Sequence, residues 1–271
     1  MGIWSSASTR VVSSIAHALD SQEYTVAPST PPTASERELR ADRILDAAEE
    51  LMVAWGHRKI TIEDVARRAR IGKGTVYLHF STKEALLLTV VMRAQLGVLR
   101  QILDSMRASP ENVRPSEVAR ALYLFHLDSP TIRALFANGT EPLGNLTRDA
   151  AALVGDTVRD RQRALQTYWD ILREHGLLNG DRSPDEQLYA YNSLVLGHLV
   201  TPSVLEQQGM HVPDHGTRAE LMARSIRLLL ERDASPEDTR RARDRALALF
   251  SALDERLHAE ITRQKQTTRS T

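Results

Sequence analysis

The chain has no cysteine among its 271 residues. This absence excludes disulfide bonds, thiolate metal sites and thiol catalysis. Apolar stretches also stay short of the ~20 residues that a membrane helix needs, and residues 194–200, for example, are interrupted by Gly197 and His198. The N-terminus has no basic region followed by an apolar core, so a secretory signal is not expected. These absences predict a cytoplasmic protein without a membrane segment.

The chain also has no net charge, since 35 basic side chains balance 35 acidic ones. No stretch alternates polar and apolar residues with a sustained period of two, so the sequence predicts no sheet. It shows no paired carboxylates, no nucleophile with a base and no complete phosphate loop. His211 and His215 flank Pro213, which predicts a loop rather than one helical face. The sequence therefore predicts no enzyme activity, no cofactor and no metal site.

One segment of 24 residues has a distinct pattern, TIEDVARRARIGKGTVYLHFSTKE, beginning at Thr61. Thr61 and Asp64 form a capping-box pattern, which predicts the start of a helix. The buried face of that helix follows at helical spacing and consists of Val65, Ala66 and Ala69.

A second helix follows within the same segment and buries Val76 and Phe80, which lie four residues apart. Ser81 and Glu84 form a further capping-box pattern, which predicts a third helix directly afterwards. Two short helices with a tight joint, followed at once by a third, predict a helix-turn-helix. The residues expected to point outward from the second helix are donors with one apolar tip: Lys73, Thr75, Tyr77, Leu78 and His79.

Positive charge is concentrated in this part of the neutral chain. Between residues 57 and 83 seven Lys or Arg stand against only two acidic residues. Such a local excess is typical of a DNA-binding element, whose exposed helix fits the major groove. For Arg67, Arg68 and Arg70 taken alone, a solvated helix face is the alternative interpretation.

The segment resembles the DNA-binding domain of the TetR family of bacterial transcriptional repressors. The family pattern is roughly T-x-x-x-I-A-x-x-A-G-V-S-x-G-T-[LVI]-Y-x-[HY]-F-x-[ST]-K-E-x-L. The residues that fit it are Thr61, Val65, Ala66, Ala69, Ile71, Gly74, Thr75, Val76, Tyr77, His79, Phe80, Thr82, Lys83, Glu84 and Leu86. Two turn positions depart from it, because Arg70 replaces the usual Gly and Gly72 the usual Ser. A Gly there normally supplies a positive φ, which other residues tolerate less well.

Helical spacing also predicts the elements outside this segment. A first helix over residues 36–55 carries an apolar stripe that includes Ile44, Leu51 and Trp55, and Gly56 ends it. Downstream helices are predicted near residues 84–106, 116–127, 130–137, 147–175, 184–208, 217–232 and 236–263.

These elements predict an all-α fold with two domains. An N-terminal three-helix helix-turn-helix DNA-binding domain covers residues 35–81, and a C-terminal helical bundle covers residues 82–263. Residues 1–34 are expected to form a flexible extension, and residues 264–271 a flexible tail. The resemblance implies that the bundle binds an effector and forms the dimer.

The resemblance also implies a function and a set of DNA contacts. It implies that the protein is a homodimeric regulator, and a repressor as in most of the family. A small-molecule ligand bound in the bundle would release it from a pseudopalindromic DNA operator. Lys73 and Thr75 would then contact base edges. The phosphate contacts would come from Thr61, the Gly74 amide, Tyr77, His79 and Lys83.

Candidate ligand-binding residues in the bundle are large amphipathic side chains on the predicted helices: His126, Tyr168, Trp169, Leu172, Tyr189, Tyr191, Asn192 and His198. Each of them fits an ordinary core position equally well. By resemblance, helices 184–208 and 217–232 form the dimer interface, although the stripe of Leu221, Met222, Ile226, Leu229 and Leu230 also fits a core within one chain. An alternative function keeps the DNA binding but places it under the control of a protein partner.

Overall fold

The structure, a computed structural model, describes residues 33–131, 133 and 144–265, with the backbone alone for residues 34, 128 and 144–158. The chain divides into two units at Arg37 and Glu38. Apart from the first turn of the first helix, everything described below lies within the second unit. Most of the predicted extension (residues 1–34) and of the predicted helix 130–137 lies outside the described residues.

The described residues form α helices and no strand, which confirms the predicted all-α class. A short 3₁₀ helix, Pro110–Val113, lies between α4 and α5. The helices are α1 (Ala34–Trp55), α2 (Ile62–Ala69), α3 (Lys73–His79), α4 (Lys83–Ala108), α5 (Pro115–Asp128), α6 (Gly144–Glu174), α7 (Pro184–Gln207), α8 (His215–Leu230) and α9 (Pro236–Lys265). Helix α9 runs two residues into the segment that the sequence predicted to be a tail.

The first three helices and the start of α4 share one apolar core. Ile44 and Met52 of α1 are buried in it, as the predicted stripe requires. Trp55 is the exception, because 46% of its surface is exposed. It is the last residue of α1, and the stripe continues further than the core against which the helix packs. Gly56 follows with a φ of 76°, so the predicted helix end is confirmed.

Helix α2 begins with the predicted capping box. The Asp64 amide donates to the Thr61 hydroxyl oxygen at 3.2 Å, and the Thr61 amide donates to the Asp64 carboxylate at 3.2 Å. At the other end Arg70 has a φ of 56° and a ψ of 46°, in the left-handed region. The Ile71 amide then donates to the Ala66 carbonyl at 3.0 Å, which closes the turn. Arg70 therefore occupies a conformation that favours Gly.

The start of α4 differs from the prediction. Thr82, not Ser81, caps this helix, and its hydroxyl accepts the Ala85 amide at 3.0 Å. Because the helix begins at Lys83, the third helical position is Ala85, which has no carboxylate to complete a capping box. The predicted pair of Ser81 and Glu84 is therefore wrong by one residue.

Helix α4 connects the helix-turn-helix to the bundle. It is the one described helix that is long and apolar enough to cross a membrane by length and composition alone, which the sequence analysis did not anticipate. The same test is passed by core helices of soluble proteins, and thirteen of its residues are buried against other helices. On its outer side Arg93 pairs with Asp46 of α1 at 2.7 Å and with Glu49 of the same helix. These contacts tie α4 to α1.

The larger core lies between α4, α5, α6, α7, α8 and α9 and contains an aromatic cluster. The ring centres of Tyr168 and Phe250 are 5.3 Å apart, and those of Trp169 and Tyr191 are 5.0 Å apart. The Tyr168 hydroxyl donates to the Val113 carbonyl at 2.6 Å, and burial raises the pKa of this tyrosine. The cluster is therefore packed and held in register by a buried hydrogen bond.

A buried carboxylate, that of Glu231, lies where the end of α8 meets the start of α5. The Ser116 amide, at the start of α5, donates to Glu231 at 2.6 Å, and the two residues on either side of Glu231 form hydrogen bonds with the loop after α6. Burial raises the pKa of Glu231, an effect that Ser116 and the nearby Arg114 partly offset. One carboxylate thus joins the end of α8 to the start of α5.

The left-handed turn at Arg70 generates a prediction about stability. Arg70→Gly should raise the free energy of unfolding by about 1 kcal/mol, because Gly adopts a positive φ without a steric penalty. Denaturant unfolding measures this change. Arg67→Gly is the matched control, because it removes the same charge from the interior of α2 and should lower stability by about 1 kcal/mol. Equal losses in both variants would contradict the assignment of strain to Arg70.

Candidate nucleic-acid interface

Helix α3 is held by its inner face and open on its outer face. Val76 and Phe80 are 0% and 1% exposed in the core shared with α1 and α2. Gly72 precedes the helix in an extended conformation, so that the chain enters α3 directly from the turn at Arg70. On the opposite side Leu78 is 61% exposed. A seven-residue helix is too short to be stable alone, so this inner anchorage determines where the outer residues lie.

Lys73 lies on the outer face of α3, and the partly buried Tyr77 lies beside it and also packs against the core. The Lys73 ammonium lies 5.9 Å from the centre of the Tyr77 ring and pairs with the Glu63 carboxylate of α2. This pairing lowers the pKa of Glu63 and raises that of Lys73. Both side chains are about half exposed. The lysine is thus oriented by α2 and by the aromatic ring without being buried.

The remaining residues that are predicted to contact DNA differ in their exposure to solvent. Gly74 is exposed, and a Cβ at this position would meet nothing within 4 Å, so a phosphate can approach the backbone closely. Thr75 and Lys83 are partly buried beside it. Thr61 is exposed, but its hydroxyl already serves the capping box of α2. Of the predicted contact residues, only His79 is buried.

His79 does not point outward, in contrast to the expectation from helical spacing. It is 3% exposed, and its Nδ1 lies 3.4 Å from the carbonyl oxygen of Lys265 in the last turn of α9. A direct contact of its imidazole with a phosphate does not fit this burial. The local sequence does not indicate the contact, because 186 residues separate the two partners.

The surroundings of α3 are positively charged, as the composition of the segment predicts. The arginine and lysine side chains of residues 58, 59, 67, 68 and 70 are exposed. Burial lowers the pKa of His57, and the positive charges of Arg58 and Lys83 lower it further. Arg67 pairs with Asp64 and Arg68 with Glu50, yet the surface keeps an excess of cations that suits a phosphate backbone.

The candidate ligand residues of the bundle separate into two groups. Tyr168, Trp169, Leu172 and Tyr191 are buried together in the large core. Tyr189 is 77% exposed and Asn192 is also exposed, so the expectation that both face the interior is wrong. The reason is the phase of α7: Tyr191 faces inward, and Tyr189, two residues earlier, points to the opposite side of the helix.

The two candidate histidines are partly buried. Burial lowers the pKa of His126, and the positive charge of Arg133 lowers it further. The Nδ1 of His198 lies 2.9 Å from the Leu194 carbonyl oxygen one turn earlier in α7, so this contact is internal to the helix. No group of three or more possible metal ligands occurs in the part of the chain that the structure describes.

One residue of the bundle interior was missed by sequence reasoning. Gln187 is 1% exposed and lies four residues before Tyr191, on the same face of α7. Its Nε2 donates to the Asn179 carbonyl, whereas its Oε1 has no hydrogen-bond partner among the described protein atoms. The Nε1 of Trp169 is likewise buried without a partner. The helical phase of Tyr191 was the signal that could have identified Gln187.

Comparison with known proteins places the helix-turn-helix in a family. Residues 44–90 match the family model of bacterial regulatory proteins, tetR family. An uncharacterised HTH-type transcriptional regulator of Mycobacterium tuberculosis is 31% identical over 117 residues, which cover 41% of this chain and 56% of that protein. The chain thus spans about half the length of the curated relatives that it matches.

Two solved structures share the fold over most of the chain. NalD, the secondary repressor of the MexAB-OprM multidrug efflux pump in Pseudomonas aeruginosa, has a TM-score of 0.51 and 22% identity over 73% of this chain and 99% of NalD. A complex of triclosan with SmeT, the repressor of the Stenotrophomonas maltophilia pump SmeDEF, has a TM-score of 0.50 and 21% identity over 72% of this chain and 93% of SmeT. The helix-turn-helix segment, residues 44–90, is therefore similar to the tetR family of bacterial regulatory proteins, and most of the chain shares its fold with these two repressors.

Proposed function

We propose that the protein is a homodimeric cytoplasmic repressor of transcription. It binds a pseudopalindromic operator and releases it when a small molecule binds in the bundle. The observation that carries the DNA binding is the outer face of α3, where Lys73 and Leu78 are exposed on a helix anchored through Val76 and Phe80. NalD and SmeT are repressors, which supports the sign of regulation.

The outer face of α3 has the chemistry needed to read a major groove. A lysine donates to the O6 and N7 acceptors of guanine, and an apolar tip such as Leu78 suits the methyl group of thymine. The Tyr77 hydroxyl, the Gly74 amide and Lys83 suit phosphates, which set the register of the protein on the duplex. This division assigns sequence preference to Lys73, Thr75 and Leu78, and general affinity to the others.

An exposed apolar face on α7 and α8 supports a dimer. Leu196, Val200 and Val204 follow one another at four-residue spacing on α7 and are 38–50% exposed. On α8, Leu221 and Leu228 lie seven residues apart and are 49% and 74% exposed. The predicted stripe of α8 thus divides, because Met222, Ile226 and Leu230 face the core. A two-fold pair would place two α3 helices in successive major grooves, about 34 Å apart.

The buried cluster between α6 and α7 supports an effector site. It combines aromatic walls from Trp169 and Tyr191 with an unpartnered donor, Trp169 Nε1, and an unpartnered acceptor, Gln187 Oε1. Ligand sites commonly combine apolar walls with a few such polar groups. Triclosan, bound by SmeT, is a small molecule of aromatic character, which fits this chemistry. Coupling between such a site and DNA is typically worth about 1–3 kcal/mol.

The assignment of roles on α3 predicts two different phenotypes. Tyr77→Phe should weaken binding to all duplexes to a similar extent, because it removes only a phosphate contact. Lys73→Ala should instead change the preferred sequence, because it removes a base contact. Duplexes selected by the wild-type chain from a randomised pool, followed by gel-shift titrations with and without metabolite extract, measure both effects. Unchanged selection by Lys73→Ala would contradict its assigned role.

The pairing of Lys73 with Glu63 predicts a gain in affinity. Glu63→Gln should strengthen DNA binding and relax sequence preference, because Lys73 no longer has to break its ion pair with the Glu63 carboxylate before it contacts DNA. Glu50→Gln is a matched control, because it removes the same charge from an equally exposed pair, that of Glu50 with Arg68. We expect the gain from Glu63→Gln to exceed that of the control about threefold in titrations at one salt concentration. Equal gains would show that only net charge matters.

The exposed face of α7 and α8 predicts the oligomeric state. Leu228→Glu should convert the dimer to a monomer and abolish binding to a duplex with two half-sites, because an isologous interface places each substitution twice. Sedimentation velocity measures the change. Leu39→Glu is the control, because Leu39 of α1 is 62% exposed and lies outside this face. Retention of the dimer in Leu228→Glu, or capture of a different protein in place of a second copy, would overturn the proposed interface.

A further inference from the structure

The last turn of α9 lies against α1 and α3, whereas the earlier part of the same helix packs in the core of the bundle. The Lys265 ammonium pairs with the Asp42 carboxylate of α1 at 2.6 Å. The lysine side chain is only 13% exposed, and that of Asp42 is 37% exposed. A lysine is rarely covered to this extent unless it is paired. The pair is therefore a fixed connection between α9 and α1 rather than a surface contact.

The backbone of Lys265 also contacts α3, which is the recognition helix of the proposed DNA-binding surface. The Lys265 carbonyl oxygen lies 3.4 Å from His79 Nδ1, and His79 is the last residue of α3. Carbonyl oxygens in the last turn of a helix accept no hydrogen bond from an amide of the same helix. They also carry the partial negative charge of the helix, so a hydrogen-bond donor next to them is favourable. Lys265 thus joins α1 through its side chain and α3 through its backbone.

Apolar packing continues this connection along α9. Leu257 and Ile261 form a small separate core with three residues of α4: Leu88, Met92 and Leu96. Further back, Phe250 packs on Tyr168 in the aromatic cluster of the bundle. The sixteen residues from Phe250 to Lys265 span about 22 Å of continuous helix. One helix therefore connects the bundle interior with the end of α3.

We propose that α9 positions the recognition helix, with Lys265 as a positioning residue for DNA binding. Helix α3 has only seven residues and depends on the contacts at its ends for a single orientation. The core holds it through Val76 and Phe80, and α9 holds its last residue. A shift of the aromatic cluster would be transmitted along α9 to His79. This inference rests on the proposed function, because it concerns the orientation of a DNA-reading helix.

Two variants of opposite charge change test this role. Lys265→Met removes a positive charge, and Asp42→Asn removes a negative one. If only the overall field acted on DNA, the first variant would bind more weakly and the second more tightly. If the pair positions the helix-turn-helix, both variants bind the duplex selected by the wild-type chain more weakly, by about threefold. The double variant then resembles either single variant, because the lost interaction is the same.

Amide hydrogen exchange gives a second measurement that does not depend on the strength of DNA binding. In full-length Lys265→Met, the amides of residues 73–79 should exchange faster, whereas those of α8 keep their protection. Lys265→Arg should restore both the protection and the affinity, because it keeps the charge next to Asp42. Uniform loss of protection across the chain would indicate global destabilisation and would overturn a specific positioning role.

The outcomes separate this inference from the proposed function. If the wild-type chain selects no duplex from the randomised pool, the proposed function fails, and the exchange of residues 73–79 still reports whether α9 holds α3. If the wild-type chain selects a duplex but Asp42→Asn binds it more tightly and Lys265→Met more weakly, with additive effects in the double variant, the positioning role is refuted. Unchanged binding and exchange in both single variants would refute it as well.

Discussion

The burial of Val76 and Phe80 is the constraint on which the proposed DNA-binding surface depends. Helix α3 has too few residues to form stably by itself, so its existence and its orientation both come from the core that it shares with α1 and α2. The turn before it is part of the same constraint. Arg70 adopts a left-handed conformation there, at the junction between α2 and α3. The outer face is then open as a consequence.

Charge on this surface is organised by acidic neighbours rather than by repulsion alone. The chain is neutral overall, yet the segment around α3 is basic, and Glu63, Asp64 and Glu50 each hold one of its cations. Exposed pairs of this kind contribute little to folding. In these pairs each long cationic side chain is held against a carboxylate. The lysine between Glu63 and the Tyr77 ring is the clearest case, since its position is defined while half of its side chain stays exposed.

Helices α7 and α8 show how one helix serves two surfaces. On α8, Met222 and Ile226 are buried in the bundle while Leu228 is exposed. On α7, Gln187 and Tyr191 face inward while Tyr189 points outward. A helix that is apolar on more than one side reads in the sequence as a single broad stripe. The packing of the bundle divides that stripe into a face that forms the core and a face that stays exposed.

The sequence by itself determined the all-α class, the position of nearly every described helix and the capping box of α2, because all of these depend on residues within a few positions of one another. The geometry of the turn at Arg70 came from the structure, since the resemblance implied only that a Gly is usual there. It also predicted that Lys73 and Leu78 lie on the outer face of α3, since helical spacing decides which side is buried, whereas Tyr77 is partly buried against the core. The burial of His79, the inward side of α7 and the cap at Thr82 came from the tertiary structure. His79 is covered by a residue 186 positions away, and no local pattern carries such information. The face that a helix buries, and what reaches it from a distant part of the chain, depend on packing between elements.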